Sequence, residues 1–181
     1  MHCSLLVVIR EYELTTKYNG FETYDSFKFE IEVEQIIDKK LMPFLENDFV
    51  DNPNAKMDWY SIGVRESVMH YGDAFVLKNG ATSSYAFLKD IDWDKTKQNF
   101  GGWFFTTSAL IDDRWIELNY PPTPKLQIVK IYEGNDYRLA IEPVNEEEYN
   151  QWADECESMF DARIMSEIED EDIIVYVDYH T

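Results

Sequence analysis

Positive charge is scarce in this chain. Its 181 residues hold 16 Lys and Arg against 36 Asp and Glu, a formal net charge of −20 at pH 7. A nucleic-acid binder neutralises phosphates with a basic surface, and anionic lipid attracts the same groups, so the expected role includes no direct nucleic acid and no membrane. Long apolar runs are missing too: nothing approaches the roughly 18 residues that a bilayer span needs. The apolar opening, His2-Cys3-Ser4-Leu5-Leu6-Val7-Val8-Ile9, has no basic n-region and no small-residue cleavage site, and Glu11 and Glu13 follow at once. It reads as a first buried strand rather than a signal peptide, and the expected address is the cytoplasm. Cysteine is confined to Cys3 and Cys156, which fits free, buried thiols better than a disulfide framework. The three histidines, His2, His70 and His180, form no H-x-x-x-H, so a zinc site would need His2, Cys3 and His180 to converge from opposite ends of the chain. G-x-S-x-G, Walker A and G-x-G-x-x-G are all missing. No catalytic residue, cofactor or metal is therefore expected.

What is present is a core. Hydrophobic residues make up 45% and aromatics 15%, too many for a disordered acidic tail. The length suits a single acidic domain over 1–181, with a possible sub-boundary at the Pro-rich connector 120–124. Residues 5–9 form a continuous apolar run, as in a strand buried on both faces. Phe27, Phe29, Ile31 and Val33 alternate with Lys28, Glu30, Glu32 and Glu34, which predicts a half-buried strand, and a helix is expected from Ile36 to its stop at Pro43. Asn79-Gly80 predicts a hairpin joining 74–77 to 84–88, and Asp112-Asp113-Arg114 another joining 103–111 to 115–118. Residues 92–98 read as a short helix, and 126–131 and 137–141 as paired strands. Asn145 begins a helix with an acidic first turn, and Tyr149, Trp152, Cys156, Met159, Phe160, Arg163 and Ile164 mark its apolar face. Residues 173–177 are a last strand. The expected fold class is α+β: a mixed or antiparallel sheet with about two substantial helices, one of them acidic, amphipathic and close to the C-terminus.

Charge is unevenly placed. Residues 140–181 hold 14 acids and one base, Arg163, a net of −13, whereas residues 1–139 amount to −7. On the C-terminal helix Glu147, Asp154 and Asp161 recur every seven residues, and Glu148, Glu155 and Glu157 widen the stripe. A four-residue helical step is about 6 Å, comparable with phosphate spacing along one strand. Such a surface either simply faces solvent or steers the protein to a basic cleft. The candidate partner-binding residues are Glu147, Glu148, Asp154, Glu155, Glu157 and Asp161, with Glu169, Asp170, Glu171 and Asp172 in support.

Two other motifs carry less. Asp90, Asp92 and Asp94 look like the opening of an EF-hand loop, but Lys95 stands where Gly is needed and Gly101 where a bidentate Glu belongs, so a turn and helix cap are expected. Asp58-Trp59-Tyr60-Ser61-Ile62-Gly63-Val64-Arg65-Glu66 packs aromatics, a Gly and an Arg into one short stretch. There Arg65 either pairs internally or holds a phosphate, with Asp58, Tyr60, Asp178 and His180 converging on the same pocket.

The opening residues 1–9, the central Asn52-Pro53-Asn54-Ala55-Lys56-Met57-Asp58-Trp59-Tyr60-Ser61-Ile62-Gly63 and the closing Val175-Tyr176-Val177-Asp178-Tyr179-His180 together resemble a family of uncharacterised phage, prophage and bacterial proteins. Its members tend to begin Met-Ser-His-Phe-x-Val-Leu-Val-Ile-Gly, carry a central Trp-Asp-Trp-Tyr-x-Ile-Gly-Gly-Arg-Trp and end Val-Val-Asp-Cys-His. Asp90-Ile91-Asp92 and Ala109-Leu110-Ile111-Asp112 resemble the segments between. The chain departs from the pattern at Val64, Glu66 and Tyr179, where the family has Gly, Trp and Cys. The resemblance implies a phage context. With the acidic tail, the expectation is a phage-encoded binding protein that inhibits a host nucleic-acid-handling defence enzyme by nucleic-acid mimicry. Its partner would be a basic nucleic-acid-binding protein of the host, a CRISPR effector or restriction enzyme. The alternatives are an enzyme or ligand-binding protein for a nucleotide or other phosphate-containing small molecule, and a phage structural or assembly subunit. Oligomeric state is left open.

Overall fold

Two strands from opposite ends of the chain form the middle of the molecule. The computed structural model describes residues 2–47, 49, 51–67, 70–100, 102, 104–134 and 136–181, with the backbone alone at 65–67, 70, 71 and 133. In chain order the elements are β1 (His2–Ile9), α1 (Phe27–Leu41), β2 (Trp59–Ile62), β3 (Val64–Ser67), β4 (His70–Gly72), β5 (Phe75–Val76), β6 (Thr82–Ser83), β7 (Tyr85–Phe87), α2 (Trp93–Asn99), β8 (Ser108–Ile111), β9 (Arg114–Glu117), β10 (Leu126–Glu133), β11 (Asp136–Pro143), α3 (Glu146–Arg163) and β12 (Ile173–His180). β1 and β12 pair antiparallel along their whole length, His2 opposite His180 and Ile9 opposite Ile173. The sheet runs β2-β12-β1-β8-β9, with β7 also on β12, and the β1–β8 pair is parallel. The sheet is therefore mixed and the class α+β.

Both faces of β1 and β12 are covered, which is why these strands are apolar without alternation. Leu5, Val7, Ile9, Val175 and Val177 pack under Phe29, Val33, Ile37 and Leu41 of α1. Leu6, Val8, Ile174 and Tyr176 pack against Phe104 and against Phe160 and Ile164 at the end of α3. The result is three layers, helix–sheet–helix.

The alternation at 27–33 is helix, not strand. Ser26 caps α1 by accepting from the Phe29 amide, and the buried residues Phe29, Val33, Ile37 and Leu41 recur every four positions. Phe27, which the period of two placed with Phe29, is 72% exposed. The Asn79-Gly80 hairpin exists, but β5 pairs with β6 at Thr82–Ser83, and β7 joins β12 instead. The second hairpin forms with a tighter turn than expected: Arg114 already belongs to β9 opposite Ile111, and Asp112 and Asp113 both adopt positive φ, +48° and +61°, as a two-residue turn between right-twisted strands requires. The β-pairing there begins at Ser108, so 104–107 are not strand. Asp92 caps α2 through the Lys95 amide, and Asp90, 5% exposed, accepts from the hydroxyls of Tyr18 and Tyr24, both at 2.8 Å. Those aspartates are turn and cap groups.

Candidate functional site

The side chains of Trp152, Cys156 and Phe160, one helical turn apart, are buried and fix the rotation of α3. At about 100° per residue, Glu147, Asp154, Glu155 and Asp161 then fall in an arc of roughly 120° centred nearly opposite that row. All four are exposed. Glu146, Glu147 and Glu148 occupy the first turn, where carboxylates favour the helix dipole, and Asn145 Oδ1 accepts from the amides of Glu147 and Glu148 at 3.1 and 3.2 Å. Asp154, Glu155 and Asp161 have no such local role. Glu157, flanking the arc, is paired with Lys97 of α2. Partial burial, with Glu157 nearby, raises the Asp161 pKa.

The supporting run divides in two. Glu169, Asp170 and Glu171 are exposed, Glu171 lying 3.9 Å from Lys89. Asp172 is 3% exposed and faces inward. Its Oδ2 accepts from Arg10 Nη1 at 2.7 Å and from the Glu169 amide at 2.9 Å, and its Oδ1 accepts from the Glu11 amide at 3.3 Å. Arg10 also forks onto both oxygens of Asp112, at 2.8 and 2.7 Å. Asp172 is a structural clamp, so it drops from the surface that a partner can touch.

A second acidic surface was not visible in the sequence. Glu22, Asp25, Glu30, Glu34 and Asp73 line a cleft of about 560 Å³ between the 20s segment, α1 and the loop before β5. Burial, together with Glu30, Glu34 and Asp73, pushes the Tyr85 hydroxyl up to about 12. Only the like-charged four-residue step from Glu30 to Glu34 hinted at it; Glu22, Asp25 and Asp73 arrive through folding.

Of the five residues expected to share a pocket, the structure gathers three. Asp58, Asp178 and His180 meet at the end of the sheet, joined by His2 and Trp59, which sequence reasoning left out. His180 Nδ1 lies 3.0 Å from Asp58 Oδ2, and His2 Nδ1 lies 3.0 Å from Asp178 Oδ2. Trp59 stacks on His180 with centroids 5.9 Å apart, and the two imidazoles meet edge to face at 5.2 Å. The His180 hydrogen bond holds the Asp58 carboxyl below its usual range. Register explains the grouping, since His2, His180 and Trp59 are direct cross-strand neighbours on β1, β12 and β2 and so share one face. Tyr60, one residue on, points the other way and donates to Asp38 of α1. Cys3 alternates away from His2 for the same reason, onto the face of Tyr179. The Arg65 side chain lies outside the described residues, as does that of His70. On the opposite face a cavity of about 430 Å³ is lined by Lys56, Asp58, Ser108, Trp115 and Tyr179 among others. Among the described residues no group of three or more His, Cys, Asp or Glu is placed to hold a metal ion. No described helix is long and apolar enough to cross a membrane.

No family model, curated protein or solved structure matches this chain.

Proposed function

We propose that the protein is a phage-encoded acidic binding protein that works in the host cytoplasm, where it blocks a nucleic-acid-handling defence enzyme of CRISPR-effector or restriction type by occupying its cationic channel. The observation that carries this reading is the outward arc of Glu147, Asp154, Glu155 and Asp161 on a helix whose opposite face is locked into the core. Carboxylates on a rigid helix keep their spacing without an ordering cost at binding, and a basic channel supplies the counter-charge that this chain lacks. The resemblance to phage and prophage proteins supports the context. The acidic cleft of Glu30, Glu34 and Asp73 adds a second surface of the same sign.

Affinity capture from a bacterial lysate tests the proposal. A basic nucleic-acid-handling enzyme is expected to be retained at ~0.1 M salt and lost near ~1 M, where the screening length shrinks from roughly 10 Å to 3 Å. Replacing Glu147 and Glu155 with Gln and Asp154 and Asp161 with Asn should abolish capture and inhibition while leaving the fold intact. Unchanged inhibition by that variant overturns mimicry.

A second reading has its own support. The paired His180–Asp58 and His2–Asp178 contacts beside Trp59 have the composition of a small-ligand site, although Tyr60 is turned away from it. Titration with nucleotides, followed by Trp fluorescence, tests it; no change at millimolar ligand removes it.

A further inference from the structure

The one large apolar surface left open on the described residues is a hairpin. β10 and β11 pair only with each other, in a ladder from Leu126 opposite Pro143 to Glu133 opposite Asp136. Paired residues share a face, so Leu126, Ile128, Lys130 and Tyr132 lie on the same side as Pro143, Ile141, Leu139 and Tyr137. That side is exposed: Ile128 and Ile141 are each 71% accessible, Tyr132 69% and Leu139 61%. The reverse side carries Val129, Ile131 and Ala140, which are half-buried.

We infer that this face is the interface of a homodimer, closed by a second copy of the same hairpin. An isolated two-stranded hairpin is marginal in water, so an eight-residue ladder with an open apolar side needs cover. Its six large apolar residues, Leu126, Ile128, Tyr132, Tyr137, Leu139 and Ile141, are 47–71% exposed, and covering them wholly would bury at most roughly the 800 Å² that each partner contributes to a standard stable interface. The charge pattern selects the occupant. A chain of net −20 repels its own copies, but residues 126–143 hold three acids and two bases, a net of −1. Of the three acids, Asp136 and Glu142 sit on the reverse side by register, and the Glu133 side chain lies outside the described residues. The open face carries a single charge, Lys130, whose Nζ lies 4.5 Å over its own Tyr137 ring and can leave along the β10 edge. Two such faces meet without burying a carboxylate. Among the described residues this face adds the least local charge to the general repulsion between copies, and the contact is self-complementary, as a two-fold interface must be. The inference does not depend on the acidic helix reading.

Sedimentation velocity on the full chain, with protein from about 0.5 to 100 µM, is the test. The expected result is a monomer–dimer equilibrium with a micromolar or tighter Kd that holds or strengthens at ~1 M salt, since screening removes the long-range repulsion and leaves apolar contact. The double substitution I128K/I141K should raise Kd at least 100-fold, whereas Gln127→Lys on the reverse side should change it less than 3-fold. Near-UV circular dichroism checks the fold. If I128K/I141K misfolds, the milder I128T/I141T is expected to raise Kd about 10-fold. A monomer at 100 µM overturns the inference, and so does a dimer whose Kd ignores both sets of substitutions.

Discussion

Replacing Arg10 with Ala separates the structural part of the acidic tail from its surface part. Arg10 sits just after β1 with its side chain 16% exposed and holds two carboxylates at once. The Asp112 arm is a contact to a side chain 45% exposed, so its loss costs at most about 1 kcal/mol even with both oxygens engaged. The Asp172 arm is different, because that side chain is 5% exposed and keeps its charge when the guanidinium goes. Breaking a buried pair by removing one partner costs about 3–5 kcal/mol. The amides of Glu169 and Glu11 still solvate the orphaned carboxylate, which places the expected loss near the lower bound, about 3 kcal/mol. For a chain of this size that lowers Tm by roughly 6–12 °C. Urea unfolding at pH 7, read by far-UV circular dichroism with unchanged m, measures it. The companion R10A/D172N removes the buried charge with its partner, so the two changes should be less than additive by about 1–3 kcal/mol. A loss below 1 kcal/mol for R10A, or strict additivity, refutes the clamp.

Three further outcomes are expected. Phe29→Ala should cost about 3–5 kcal/mol, because Phe29 is fully buried and stacks on Phe87, while Phe27→Ala should change stability by less than about 0.5 kcal/mol; equal effects in urea unfolding would contradict the helical phase of α1. Glu32 is pushed up by burial but pulled down more strongly, to about 2, by hydrogen bonds from the hydroxyl and amide of Thr15 and the amide of Thr16. Its folded value lies below the unfolded one, so it stabilises the fold above pH ~4.5 and loses that effect as pH falls toward 2; the Tm gap between wild type and E32Q should close over that window, and a constant gap counts against it. Burial raises the Cys156 thiol and leaves it 0% exposed, so a thiol reagent should modify it only in denaturant, whereas native-state reaction of both cysteines would show that the α3 face opens.

Local signals in the sequence carried much of the architecture. Leu5 through Ile9 has too many consecutive apolar groups for a one-sided strand, and β1 is indeed covered on both faces. Asn145, Asp92 and the Asp112-Asp113 pair announced two caps and a turn through side-chain chemistry that acts within three or four residues. The segment at 27–33 misled because Phe29 and Val33 satisfy a period of two and a period of four alike. What separates the two is whether Phe27 and Ile31 are needed by the core, and that depends on the sheet face that α1 covers.

Composition and order along the chain by themselves determined the excess of carboxylates, its concentration after residue 139, and the phase of α3 that turns Glu147, Asp154 and Asp161 outward, because a helix sets those directions by its own geometry. Only the tertiary structure decided which acids a partner can meet. It drew Asp172 inward onto Arg10, gathered Glu30, Glu34 and Asp73 into a second cleft, and set His2 beside His180 across 178 positions of chain. It also left one face of the 126–143 hairpin open. Such placements follow from strand order and register, which are settled by burial over the whole chain and leave no trace in any short stretch of it.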